Sequence, residues 1–236
     1  MAKHRKDRHV AVQVDRFALS VDVVCFNIVD GDLHILLMLR NDEPFKGVWA
    51  LPGGIVHPDE GLDDAGARIL EERTGVHDVF MEQLYTFGRP NRDPRGRTVS
   101  VAYVALLPLG DYTLHAGRGA SDVAWHPLAH LPTLAFDHAE ISRYGRLRLA
   151  LKIDYAPLAF NVLPETFTMG DLRAIHESIL DRPLHPSNFV RQMLARWDLA
   201  PVTGTKDRRT RRPARLYRYI GPRAIPGAPS HDAGEE

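Results

Sequence analysis

Thiol chemistry is almost absent from this chain: one cysteine, Cys25, in 236 residues. It lies in an apolar run, so a disulfide framework is excluded and a reducing cytoplasm is the natural compartment. Long hydrophobic runs are missing as well. No stretch approaches the roughly 18 apolar residues that a membrane helix needs, and the basic start MAKHRKDRH leads into no signal-peptide core, so no membrane partner is expected. Nor is there an excess of one charge, with 30 Lys+Arg against 30 Asp+Glu. Hydrophobic residues at 44% and charged residues at 25% exclude wholesale disorder, and the length allows two domains or one large one.

The zero balance conceals an asymmetry. Residues 161–225 hold 12 Lys+Arg against 6 Asp+Glu, which leaves 18 and 24 for the remainder. A basic C-terminal third on an acidic body points to a polyanionic partner for one part only.

In chain order, residues 1–15 read as a basic flexible arm, with Lys3, Arg5, Lys6 and Arg8 against Asp7. Such an arm suits either contact with nucleic acid or an untethered terminus. Residues 18–29 and 33–40 are apolar and rich in β-branched side chains, and Asp30-Gly31-Asp32 between them predicts a tight turn joining two strands. The Leu51-Pro52-Gly53-Gly54 turn leads a short strand to a helix over 61–74 that stops at Gly75. A strand, the turn RPNRDPRGR and a long strand over 98–107 follow. Then come a strand over 122–126 and a helix over 137–153, where Asp137 and Glu140 have capping-box spacing. Strands flanked by helices predict an α/β sandwich.

One stretch in this region carries a motif. Gly54, Glu60, Arg68, Leu70, Glu72, Gly75 and Val76 keep the register of the Nudix box, Gly-x5-Glu-x7-Arg-Glu-apolar-x-Glu-Glu-x-Gly-apolar. Ile69 and Arg73 stand where that pattern has its first and last helix glutamates. Positions 69, 72 and 73 are spaced by three and four, so on a helix they share one face and could hold one ion. Magnesium takes oxygen ligands, chiefly carboxylates, phosphates and water. Ile69 has no lone pair and Arg73 brings a fixed positive charge. Of the three only Glu72 is a carboxylate, with Glu60 and Glu71 nearby, and it is expected to pair with Arg73. No metal site and no catalytic residue are assigned here.

The tail changes character after Pro157. Residues 168–180 predict a helix with Thr168 and Asp171 in capping spacing, and Pro186 opens a second helix through Trp197. Its apolar side is Phe189, Val190, Met193, Leu194 and Trp197; its polar side includes Ser187, Asn188, Arg191 and Gln192. Arg pairs bidentately with guanine and Asn or Gln with adenine, which suits a recognition helix in a major groove. The same pattern suits a small packing subdomain with a solvated face. LAPVTG and ARLYRYI then read as strands of a hairpin, crowding Lys206, Arg208, Arg209, Arg211 and Arg212 at its tip or flank. Helix, turn, helix and hairpin make a winged helix, and that many cations suit phosphates, with a solvated charge run or an acidic protein partner as the alternatives.

A Nudix box with altered glutamates beside a basic winged helix resembles the Nudix-related transcriptional regulators of the NrtR family. The resemblance implies a Nudix-type α/β/α sandwich over 16–155 that senses an effector and a C-terminal winged helix-turn-helix DNA-binding domain over 156–225; residues 226–236, rich in Pro, Gly and Ala and then acidic, are expected from composition to form a disordered tail. It implies a homodimeric repressor of NAD biosynthesis or salvage genes, cytoplasmic and nucleoid-associated, on double-stranded DNA with a palindromic operator. The effector is ADP-ribose or a related NAD-derived nucleotide, and no cofactor is expected. Candidate effector residues are Arg40, Arg92, Asp93, Arg95 and Arg97 for a diphosphate, Trp49 for stacking on adenine or else for the core, and Glu72 facing the cleft. The rival expectation is a working hydrolase of ADP-ribose or another nucleoside diphosphate derivative, using Glu60, Glu71 or Glu72.

Overall fold

The computed structural model describes residues 16–108, 112–207 and 214–223. The expected arm over 1–15 and tail over 226–236 lie outside them, as do Arg208, Arg209, Arg211 and Arg212.

The first strand, β1 (Ala18–Val29), is the centre of the sheet. It pairs in parallel with β6 (Thr98–Leu106) and antiparallel with β2 (Asp32–Arg40) and β4 (Gly53–Ile55). Beyond β2 lie β3 (Trp49–Ala50) and β7 (Ala120–Pro127), and beyond β6 lies β5 (Glu82–Phe87). The β1–β2 connection is the expected two-residue turn, with Asp30 and Gly31 at φ 53° and 89°. Both residues of such a turn need positive φ, which is why Asp-Gly occurs there.

The apolar run of β1 is continuous because both faces are covered. Val21, Val23 and Cys25 pack with Ala65, Ile69 and Leu70 of α1 (Leu62–Thr74). Val24, Phe26 and Ile28 pack on the other side with Ile141 and Leu149 of α2 (His138–Lys152). Helices on both faces of a mixed sheet make the expected sandwich. Gly75 ends α1 at φ 79°, its N–H donating to Glu71 O.

The second apolar cluster does not stop at the sandwich. It continues from β1, β2 and α2 into α4 (Met169–Leu180), α5 (Pro186–Arg196) and β9 (Trp197–Asp207) through Leu172, Ile175, Ile179, Phe189, Met193 and Trp197. β10 (Ala214–Pro222) pairs with β9 and with β8 (Phe167–Thr168), giving a three-stranded wing. Short α3 (Leu158–Asn161) seals this end: the Phe160 ring stacks on Tyr219 at 4.2 Å and meets Trp197 edge-on at 5.4 Å.

Two caps differ in outcome. Thr168 and Asp171 form the capping box, with Thr168 N–H donating to the Asp171 carboxylate at 2.8 Å and Asp171 N–H donating to Thr168 Oγ1 at 3.0 Å. Asp137 forms none on α2, because its carboxylate is taken by Arg92. A guanidinium brought in from a distant loop outcompetes the local amide, and residue spacing cannot reveal that.

Candidate functional site

A cavity of about 160 Å³ opens where the C-terminal end of β2, the glycine turn before α1, the loop over 88–97 and the segment before α2 converge. Its floor is a buried charge network. Asp22 accepts from Arg92 at 3.1 Å and from Ser100 at 2.6 Å, and Arg92 also reaches Asp137 at 2.9 and 2.7 Å. Burial pulls the Arg92 pKa down, but the hydrogen bonds and charges of Asp137 and Asp22 outweigh it and hold it above its ordinary value. Breaking such a buried pair costs about 3–5 kcal/mol. His138 completes the floor, accepting from the Leu51 N–H at 2.9 Å through Nδ1. Its Nε2, 3.5 Å from Asp22, then carries the proton. Gly53 is registered opposite Asp22, and a Cβ there would overlap the carboxylate.

The rim carries further arginines and an aromatic ring. Arg40 is tied to backbone carbonyls, donating to Pro44 at 2.9 Å and Asp42 at 3.1 Å. Arg95 is paired bidentately with Asp93, at 3.0 and 2.7 Å. Phe136, a non-glycine residue at φ 52°, places its ring 5.0 Å from the Arg40 guanidinium and 5.7 Å from that of Arg95. Positive φ is an outlier for a bulky side chain and clusters at ligand sites. Burial, then the neighbouring Arg95, lowers the Arg40 pKa.

The cavity thus gathers Arg40, Arg92, Asp93 and Arg95 from the predicted residues and leaves three away from it. Trp49 packs edge-on against His126 at 4.3 Å, beside the core. Arg97 donates to Gly88 O at 2.7 Å and lies 5.2 Å from the Phe17 ring. Glu72 is exposed and accepts from Arg68 at 3.3 Å, so its expected pairing with Arg73 is replaced by one a turn back on the same helix. Arg68 also grips Glu60 at 2.8 and 2.6 Å, and that hydrogen-bonded pairing holds the Glu60 carboxyl down to about 2. Sequence reasoning missed Asp22, Phe136 and His138. A lone aspartate in the apolar run ALSVDVVCFNIV was the available signal for the first.

A Nudix fold implies magnesium, and the box residues can be tested for it. Ile69 is 1% exposed and belongs to the α1 side of the core. Arg73 lines the cavity, and Glu72 is engaged by Arg68. Among the described residues no three His, Cys, Asp or Glu side chains are grouped to share a metal ion. One engaged carboxylate, one buried alkyl chain and one guanidinium do not fit a magnesium ion.

In the C-terminal unit, Ser187, Asn188, Arg191 and Gln192 are exposed on the first two turns of α5, while Phe189 and Met193 are buried beneath them. Arg191 donates to Asn188 Oδ1 at 3.3 Å. The backbone of Lys206 pairs with Arg215 across the wing. No helix among the described residues is long and apolar enough to cross a membrane.

Comparison with known proteins agrees with this architecture. Residues 18–145 match the NUDIX domain family and 159–219 match the NrtR DNA-binding winged helix domain. The chain is 35% identical over 210 residues to the "ADPR responsive transcriptional repressor NtrR" of Acinetobacter baylyi, covering 85% of this chain and 81% of that one. An "ADP-ribose pyrophosphatase" of Methanocaldococcus jannaschii is 36% identical over 141 residues, covering 60% of this chain and 76% of its own. The crystal structure of Shewanella oneidensis NrtR complexed with a 27mer DNA superposes with a TM-score of 0.67 at 36% identity, covering 86% of this chain and 93% of that one. The chain belongs to the NrtR family, a NUDIX domain followed by the NrtR DNA-binding winged helix domain.

Proposed function

We propose that this chain is a transcriptional repressor whose Nudix cavity senses ADP-ribose or a related NAD-derived nucleotide, and whose winged helices, paired in a homodimer, bind a palindromic operator at NAD biosynthesis or salvage genes in the cytoplasm. The observation that carries this reading is that an arginine-lined cavity and an exposed polar recognition face stand on one hydrophobic core. The relatives support both halves: one is named for its response to ADPR and repression, another is a structure with DNA. In the cavity, Arg40 and Arg95 are the diphosphate contacts, and Phe136 offers the aromatic surface that Trp49 does not. Arg92 positions the floor. On DNA, Ser187, Asn188, Arg191 and Gln192 face the bases, while the cations at 206–212 meet phosphates.

The test is DNA binding followed by fluorescence anisotropy, using the region upstream of the protein's own gene and titrating ADP-ribose, NAD and ATP. Sequence-selective binding that ADP-ribose reverses is expected; binding indifferent to sequence would sink the reading. The pyrophosphatase relative favours a second reading, hydrolysis of ADP-ribose. Magnesium-dependent turnover abolished in Glu72→Gln decides for it.

A further inference from the structure

The guanidinium of Arg73 has a seat made for it. Gly119, at φ 79°, and Gly54 flank it: a Cβ on Gly119 would overlap Nη1, and one on Gly54 would stand 3.7 Å from Nη2. Nη1 donates to the Arg118 carbonyl, while Nε is buried without an acceptor. Of the carboxylates lining the cavity, Asp22 is engaged by Arg92 and Asp93 by Arg95, while the solvent-exposed Asp42 and Glu43 stand at its rim, where the Asp42 charge acts on Arg73 and Arg40 without an ion pair. Among the described residues neither Arg73 nor Arg40 has a carboxylate within 4.0 Å, and both are tied to backbone carbonyls.

The last helix position of the Nudix box is therefore more than a lost ligand. We propose that Arg73 is a resident cation, standing where the fold would hold a divalent ion, so that the diphosphate of the nucleotide effector binds without metal. A guanidinium offers a phosphate N–H donors and a charge that does not titrate, and it needs no coordination shell. Its pKa is lowered, chiefly by burial and then by the Arg118 charge, against the opposing pull of Glu72 and Asp42, so an anion beside it offsets part of its desolvation cost. This inference rests on reading the cavity as the nucleotide site.

Calorimetry with ADP-ribose tests it, on the full chain, in EDTA and then in excess Mg²⁺. The wild type is expected to bind equally under both conditions. Arg73→Gln is expected to weaken binding about tenfold or more, and Arg73→Lys less, because the charge stays while the fork is lost. Arg73→Glu is expected to weaken binding in EDTA and regain part of it with Mg²⁺. Thermal melting checks that each variant is folded; if Arg73→Gln does not fold, Arg73→Lys carries the test. Wild-type binding that needs Mg²⁺, or unchanged affinity in the folded position-73 variants while Arg40→Gln loses it, overturns the proposal alone. No binding of ADP-ribose by the wild type overturns the cavity reading and the proposal together.

Discussion

His138 holds the Leu51 amide with one ring nitrogen and faces Asp22 with the other, and His176 donates from Nδ1 to Leu172 O at 2.9 Å while its Nε2 is buried without a partner. Burial pushes the pKa of both below the ordinary value, and that of His126 too. All three are neutral in the fold at neutral pH. Unfolded, they take up protons near about 6.5, so their share of stability is complete above that pH and is lost as pH falls from there toward the depressed folded values. The two buried rings, His138 and His176, contribute at most about 1.4 kcal/mol each per pH unit in that window, and the partly exposed, solvent-screened His126 less. The melting temperature is therefore expected to hold steady above about pH 7.5 and to fall as pH drops below about 6.5. Glu60, at about 2 through Arg68, and Asp93, lowered by its hydrogen bonds from Arg95, lose their contributions only in stronger acid. His176→Leu should flatten the slope, and a wild-type melting temperature constant from pH 7 to 5 would contradict the account. At this scale the sequence was readable for position where residue type and loop position coincide: Arg40, Arg92, Asp93 and Arg95 line one cavity. It was opaque where a partner far along the chain decides. Ile69 occupies a register position that suggests a cleft, yet it is core, so Ile69→Glu would bury a carboxylate at a cost of several kcal/mol rather than restore a metal ligand.

Helix α5 divides its residues by face, and that division gives an element its own prediction. Phe189 and Met193 anchor it in the shared core, so the exposed Arg191 is presented from a rigid base near the helix start. Arg191→Ala is expected to cost about 1–3 kcal/mol on the preferred operator and to narrow the gap to mutated sites. Arg209→Ala, at a position outside the described residues, is expected to weaken all DNA binding similarly and reduce the salt slope by about 1. Anisotropy titrations on matched and scrambled duplexes across a salt series separate the two; equal losses on both duplexes for Arg191→Ala would remove it from base readout. Elements with a strong period were legible: β1 spans the predicted 18–29, and α1 begins one residue after the predicted start. β8 was not, because two residues carry no period, and Phe167 and Thr168 become a strand only when β10 returns to pair with them. α3 is similarly short and gave no pattern to read.

Across the whole molecule, the connection between cavity and winged helix is short and physical. β2 ends at Arg40 on the cavity rim and begins near Leu33, whose N–H donates to Ser178 Oγ of α4 at 2.6 Å. Arg146 of α2 reaches Asp181, at the end of α4, at 2.9 Å. One hydrogen-bonded strand thus joins the rim to α4, and α4 shares its core with α5. If the nucleotide favours a geometry in which the paired recognition helices no longer match two half-sites, the two ligands oppose each other through a coupling of about 1–3 kcal/mol, or about 5–150-fold. Thermodynamic linkage makes that factor reciprocal. Saturating ADP-ribose should lower operator affinity by the same factor by which saturating operator lowers ADP-ribose affinity, while a scrambled duplex of equal length should produce a smaller shift. Anisotropy gives the first factor and calorimetry on the preformed DNA complex gives the second. An operator that releases with ADP-ribose but leaves its affinity untouched would mean that release does not act through this cavity's equilibrium with the fold.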